Sequence, residues 1–360
     1  MRIALLIYGS LDIVSGGYLY DRKIVEFLRS QGDQVDVISL PWRSYASHLA
    51  DNFSQDLLRR LEQLSVDFLV QDELNHPSLF LLNRQLRPKV GYPILSIVHH
   101  LRSSESRPAW QNSLYRQIEL RYLEGLDGFV FNSHSTRQVI EQLVRPGKPC
   151  ITAFPGGDRF NSQISAEQII LRANRPGPLQ IVFIGNLIPR KGLHILLDAL
   201  QRLPKEAWRL NVIGNQKIDP AYVRDIYRKA DRAELKDNLT FNGILDGASL
   251  SHCLEESQVL AVPSSYEGFG IVYMEGMGYG LPPIASTAGA TGEFIQSGKN
   301  GILVAPEDSM ALANQLQSLY ENREFLARLS LAARQTYQAH PTWEQTCQKI
   351  RQFLLDWQPR

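Results

Sequence analysis

The sequence predicts an α/β protein of two doubly wound domains, and three observations carry that prediction. The chain has 360 residues, too many for one ordinary hydrophobic core. Short continuous apolar runs alternate with amphipathic helical stretches from end to end, the pattern of buried parallel strands joined by crossover helices. The rhythm lapses once, over residues 158–178, and then starts afresh.

In the first half, strands are expected at 2–8, 34–40, 67–71, 93–98, 128–132 and 150–154. Helical periodicity falls between them at 18–29, 56–64, 112–124 and 135–143. The opening segment has the charge and apolar run of a signal peptide. That run is short, and Gly9-Ser10-Leu11-Asp12 follows in place of a small-residue cleavage site, so it reads as a buried first strand. The aperiodic stretch ends in Arg175-Pro176-Gly177-Pro178, a linker composition. Beyond it, strands are expected at 180–184, 210–213, 239–241, 259–262, 283–286 and 302–304, with helices at 194–203, 221–233, 248–256 and 271–279. The tail reads as one long helix over 309–337, a break at Pro341 and a last helix over 343–357. The expected organisation is a domain at 1–170, a second at 171–340, a cleft between them, and a closing segment at 341–360.

Composition excludes several function classes. Lys plus Arg number 38 and Asp plus Glu 37, so no whole-chain field exists for holding nucleic acid. No run approaches the ~18 apolar residues of a membrane span. Arg43, His48, Arg59 and Arg60 leave a weak basic face for peripheral membrane contact, against the plainer reading of a solvated helix surface. Cys150, Cys253 and Cys347 form neither a metal-ligand pattern nor a disulfide framework, which points to the cytoplasm. The chain has no Asp-x-Asp, no Walker loop and no Gly-x-Gly-x-x-Gly opening a helix. No metal or cofactor is expected.

The most informative segment is Ser265-Tyr-Glu-Gly-Phe-Gly-Ile-Val-Tyr-Met-Glu275, between an apolar run and a helix. Gly268 and Gly270 permit a tight bend that brings backbone N–H groups close to a ligand. The helix start adds unpaired donors and a positive dipole end, suited to a diphosphate. Glu267 precedes the turn and Glu275 lies inside the helix. A second turn, Gly185-Asn-Leu-Ile-Pro-Arg-Lys-Gly192, sets Arg190 and Lys191 at the C-terminal edge of a strand, where open α/β sheets bind ligands. Cations there suit a departing diphosphate.

These residues resemble the family-4 retaining glycosyltransferases of GT-B fold. That family carries two glutamates separated by seven residues with Gly-Phe-Gly after the first, as Glu267 and Glu275 do, and Gly276-Met-Gly-Tyr-Gly-Leu-Pro282 matches the segment that follows. The resemblance implies two Rossmann-like domains facing a cleft. It also implies that Glu267 contacts the hexose, Glu275 the ribose, and Phe269, Gly270 and Ile271 the sugar or phosphate through their N–H groups. Lys191 matches the family lysine. The family arginine is replaced by Asn186, and Arg190 stands nearby to supply the charge. Gly16 and Gly17 match a glycine pair near the donor phosphates and acceptor. His99 matches a histidine that reaches the transferred sugar, with His100 where Asp usually follows. In Phe154-Pro-Gly-Gly-Asp158 the usual Asn is Gly156.

The resemblance implies a retaining, metal-independent, front-face transfer of a hexose, by default from UDP-glucose. The catalytic set would be Glu267, His99 and Lys191. The acceptor side is richer in aromatic residues than in motifs: Tyr8, Tyr18, Tyr20, Trp42, Tyr45, Trp110 and Tyr115. Tyr18 is the candidate acceptor-binding residue. In its length and its opening Ser-Gly-Gly-Tyr-Leu-Tyr, the chain is similar to small soluble bacterial enzymes that glucosylate reduced pterins. A lipid or polysaccharide acceptor, or a non-catalytic sugar-nucleotide-binding protein, are the alternatives.

Overall fold

A computed structural model describes residues 1–144, 147–160 and 162–358. The chain divides into two compact units, Met1–Pro155 with Thr342–Arg360, and Gly156–Pro341. The boundaries thus fall after 155 and 341, where the sequence predicts them after 170 and 340.

In the first unit the strands are β1 (Arg2–Tyr8), β2 (Gln34–Leu40), β3 (Phe68–Asp72), β4 (Ile94–Val98), β5 (Gly128–Phe131) and β6 (Cys150–Thr152). They form one six-stranded sheet in the order β2-β1-β3-β4-β5-β6, parallel at every pairing. The helices are α1 (Gly16–Ser30), α2 (Tyr45–Leu49), α3 (Gln55–Glu62), α4 (His76–Leu79), α5 (Leu82–Leu86), α6 (Ala109–Glu124) and α7 (His134–Leu143). The short α2, α4 and α5 lack the length to show a period, and the sequence reading left them out. Ser15 and Ser133 cap α1 and α7 by accepting from backbone N–H groups of Tyr18 and Thr136.

The second unit begins with α8 (Ala166–Ala173), inside the stretch read as an aperiodic linker. A capping box of Ser165 and Gln168 starts this helix. Its buried Arg172 donates to the carbonyls of Glu255 and Tyr279, and these tertiary bonds replace the apolar period that eight residues are too few to display. There follow β7 (Leu179–Ile184), α9 (Leu193–Leu200), β8 (Trp208–Ile213), α10 (Pro220–Arg232), β9 (Leu239–Gly243), α11 (Gly247–Glu256), β10 (Val259–Val262), α12 (Ile271–Gly278), β11 (Pro283–Ser286) and β12 (Ile302–Val304). This parallel sheet runs β12-β11-β10-β7-β8-β9. The long tail helix expected over 309–337 is two helices, α13 (Ser309–Glu321) and α14 (Arg323–Ala339). Asn322 separates them in a non-helical conformation and caps α14 by accepting from Phe325 N–H.

The last helix, α15 (Trp343–Leu355), packs on α1 within the first unit. Arg351 donates to Asp33 at 2.7 Å, and Asp33 also receives the chain's own N-terminus at 2.7 Å. Burial pushes the Asp33 carboxyl up, and these two cations outweigh it and lower it. No helix among the described residues is long and apolar enough to cross a membrane.

Each unit holds its own core. Trp208, Phe183, Tyr273 and Tyr279 are fully buried in the second, and Tyr122, Phe129, Phe131 and Leu6 in the first. Each such side chain contributes on the order of 1.5–3 kcal/mol. His48, expected on a basic surface, belongs to the interior. It is buried with its ring stacked 3.9 Å from that of Tyr8, and Arg43 turns to Asp51, so the basic face does not form.

In both sheets the winding reverses once. One neighbour of β7 continues the chain and the other is β10; likewise β1 lies between β2 and β3. Loops leaving the two strands beside such a switch point diverge and open a crevice at the carboxyl edge.

Candidate functional site

At the β7/β10 switch point the two turns singled out in the sequence come together. The loop after β7 carries Arg190 and Lys191, and the loop after β10 carries Glu267. Ser265 N–H donates to the Arg190 carbonyl at 2.8 Å and zips the loops to each other. Gly192 has φ +72°, and a Cβ there would collide with the Pro263 carbonyl. Gly289, at φ +82°, likewise lies against the Glu267 carbonyl. Both glycines let backbone pass where no side chain fits.

Glu267 is 5% exposed. Its Oε1 receives Lys191 Nζ at 2.6 Å and Ser264 Oγ at 2.6 Å, and Arg190 Nη1 lies 3.7 Å from Oε2. Arg190 also donates to the Tyr266 carbonyl at 2.8 Å, which holds its guanidinium in place. Burial pushes the Glu267 carboxyl up, yet Lys191 and Arg190 outweigh it and hold the group at about 2. Two cations, Lys191 and Arg190, thus face the one carboxylate of Glu267.

Beside it, α12 starts at Gly270, whose φ of +90° supplies the bend. The N–H groups of Ile271 and Val272 precede any partner within the helix, and that of Tyr273 donates to the Gly270 carbonyl at 3.0 Å. Tyr273 anchors this turn by donating from its hydroxyl to the Val262 carbonyl at 2.6 Å. Phe269 points inward, its ring tilted against those of Phe294 at 5.0 Å and His340 at 5.7 Å, and Gly268 is buried next to it. Glu275, inside α12, is 5% exposed and receives Arg159 Nη1 at 3.3 Å. Burial raises its carboxyl and Arg159 opposes the rise. Ser264 and Arg159 were missed in the sequence. Neither stands in a recognisable pattern, and Arg159 meets its partner across 116 positions.

In the first unit, Gly16 and Gly17 open α1 at the β1/β3 switch point, and His99 follows β4. A Cβ on Gly17 would lie 3.1 Å from His99 Cδ2, so the glycine makes room for the imidazole. His99 Nε2 lies 3.2 Å from Oδ1 of the fully buried Asp21. Burial lowers the His99 pKa, but Asp21, Asp72 and Glu73 outweigh it and raise it to about 9. Asp72, at the end of β3, is pushed well above the carboxylate range by burial and then by Asp21. Its Oδ2 and that of Asp21 have no hydrogen-bond partner among the described residues. His100 turns to Glu105 at 2.9 Å. Tyr18 is buried, its hydroxyl donating to the Tyr8 carbonyl at 2.7 Å. Asp21 and Asp72 were also missed, although each sits at a place the topology marks, one turn into α1 and at a strand end.

Among the described residues, two groups have the donor atoms for a cation, Asp21 with Asp72 and His99, and Glu73 with His76 and Glu119. In each the histidine already faces a partner, Asp21 for His99, and the Tyr45 hydroxyl at 3.1 Å for His76.

Residues 167–336 match the family described as "Glycosyl transferases group 1". A glycogen synthase of Mycobacterium tuberculosis is 28% identical over 275 residues, 73% of this chain and 63% of that protein. A D-inositol 3-phosphate glycosyltransferase of Xylanimonas cellulosilytica is 30% identical over 213 residues, 56% of this chain and 51% of that protein. The chain thus spans between half and two thirds of these curated relatives' length. Among solved structures, sucrose-phosphate synthase from Thermosynechococcus elongatus superposes with a TM-score of 0.81 at 22% identity, covering 98% of this chain and 97% of that one. Anabaena HepE in complex with UDP and glucose gives 0.78 at 19% identity, covering 99% and 100%. The chain therefore has the two-domain α/β fold of the GT-B glycosyltransferases, and its residues 167–336 match the group 1 glycosyl transferases.

Proposed function

We propose that this chain is a retaining hexosyltransferase that moves glucose from UDP-glucose to a hydroxyl of a small acceptor. One observation carries the reading: a buried glutamate bonded to Lys191 and flanked by Arg190, beside a glycine-capped helix start, in the segment that matches the group 1 family. Two cations side by side there suit a diphosphate, and the α12 N–H groups suit its oxygens. The Anabaena neighbour's complex with UDP and glucose supports the choice of donor.

In the proposed reaction the acceptor oxygen bonds to the sugar's anomeric carbon on the face from which the diphosphate leaves. The bond from that carbon to the phosphate oxygen breaks, and this oxygen takes the acceptor's proton. Configuration is retained without a covalent enzyme intermediate. Lys191, Arg190 and the start of α12 stabilise the departing diphosphate without a metal. Glu267 orients the hexose, Glu275 holds the ribose, and His99 contacts the transferred sugar. For the acceptor we propose a reduced pterin, suited to the aromatic side chains of the first unit such as Tyr45 and Tyr115, whose rings lie 4.8 Å apart. A polysaccharide acceptor is the second reading, favoured by the glycogen synthase relative. A cytoplasmic location agrees with three cysteines that are all free thiols.

Calorimetric titration with UDP-, GDP- and ADP-glucose, with and without EDTA, tests the donor half. The expected result is metal-independent binding of UDP-glucose that is lost in Glu275→Ala. Absence of binding to all three would remove the reading. Radiolabelled UDP-glucose offered with tetrahydrobiopterin, glycogen or lipid vesicles then identifies the acceptor.

A further inference from the structure

Glu275 occupies a place where a carboxylate does not persist unaided. It lies five residues into α12, 5% exposed, among the buried Tyr273, Met274 and Gly276. It pairs with Arg159, which reaches Oε1 at 3.3 Å from the segment preceding α8. Arg159 is itself fixed. Its guanidinium lies 4.9 Å over the Phe160 ring, and Phe160 packs toward Tyr279, just past the end of α12. Its side chain remains 33% exposed, so the guanidinium borders solvent on the side away from the core.

We propose that Arg159 is a positioning residue of the donor site, holding the Glu275 carboxylate turned to accept the ribose hydroxyls of a bound sugar nucleotide. The inference rests on the reading of Glu275 as the ribose residue and adds to it a partner from a different part of the chain. An ionised carboxylate accepts hydroxyl hydrogen bonds about twice as strongly as a neutral acceptor. Burial drives Glu275 toward its neutral form, and Arg159 is the charge opposing that drift. The other ionisable groups around α12 do not substitute for it. Arg172 of α8 is spent on the Tyr279 carbonyl and Arg334 of α14 on the Gly278 carbonyl. The Tyr279 and Tyr337 hydroxyls are both raised by burial and stay neutral.

The test is calorimetric titration of UDP-glucose, whose diphosphate is esterified at both ends, into the full chain from about pH 6 to about pH 9. Wild type should bind with little pH dependence. Arg159→Gln should bind about tenfold more weakly near neutrality, with the deficit shrinking as pH rises and Glu275 ionises. Arg159→Lys should recover most of the affinity, and it also serves should the glutamine variant fold poorly. An Arg159→Gln affinity that is unchanged, tighter, or lower by the same factor at every pH would overturn the inference. Wild type failing to bind UDP-glucose at all is a different result. It would sink the donor-site reading itself, and this inference with it.

Discussion

Glu267 and Asp72 are both buried carboxyls at the carboxyl edge of a parallel sheet beside its switch point, and they end in opposite states. Glu267 sits under Lys191 and Arg190 and is held at about 2. Asp72 sits near a second carboxylate, Asp21, and is pushed well up despite the cationic His99 nearby. Burial acts on the two alike, so the neighbours decide. The same edge of the same kind of sheet is a two-cation cradle in one unit and a proton-holding acidic cluster in the other. A shared topology marks where a site lies and leaves its charge to a few side chains.

Removing the cradle's main cation should have the largest effect. Lys191→Ala leaves Glu267 buried with Arg190 at 3.7 Å and Ser264. Breaking such a pair costs about 3–5 kcal/mol of stability, and transfer should fall by roughly 100-fold or more. Chemical denaturation and a turnover assay measure the two losses separately. An unaltered unfolding midpoint would mean that the pair does not organise the site.

The glycines of the two sites give a second contrast. Gly289→Ala drives a side chain into the Glu267 carbonyl at a positive φ, and should cost about 2–4 kcal/mol. Gly17→Ala meets only an imidazole edge at 3.1 Å. A ring can rotate away where a backbone cannot, so the expected cost there is below about 1 kcal/mol. Equal losses in melting temperature would contradict the distinction between a rigid and a yielding neighbour.

The smallest effect lies in the pH response, where the units should differ in sign. The lowered Glu267 contributes stability that is present above its ordinary value of 4.5 and lost as pH falls through about 2. The raised His99 contributes stability that is present below 6.5 and lost as pH rises through about 9. Asp72, also raised, pushes the same way as His99, because the fold retains a proton that the unfolded chain releases. Between about pH 7 and about pH 9.5 the first unit should lose roughly 1–3 kcal/mol while the second holds. Amide hydrogen exchange, corrected for its intrinsic pH dependence, should show protection falling in β3 and β4 and unchanged in β7 and β10. Asp21→Asn should flatten the response of the first unit, and loosening of β10 instead would reverse the assignment.

Much of this molecule was legible in its sequence, and the parts that were not share a cause. The strands β1, β10 and β11 fall where continuous apolar runs placed them, because a strand buried on both faces announces itself residue by residue. Lys191 and Glu267 could be singled out because each stands in a turn with its own glycine. Helix α8 escaped because eight residues show an apolar stripe only as Ile169 and Ala173, with Arg172 beside them bonded to distant carbonyls. Asp21, Asp72, Ser264 and Arg159 escaped because an acid or a hydroxyl has no periodicity, and its meaning depends on what the fold sets beside it.

The sequence by itself determined the order of strands and helices, the two parallel sheets and the turns that carry chemistry-bearing residues. It did so because burial pattern, caps and glycine turns are local and repeat along the chain. Only the tertiary structure decided that Lys191 meets Glu267 across 76 positions, that His99 meets Asp21 across 78, and that Arg159 meets Glu275. Those meetings set which carboxyls stay charged. Desolvation and Coulomb forces depend on distance in space, and separation along the chain carries no information about it until the sheets are wound.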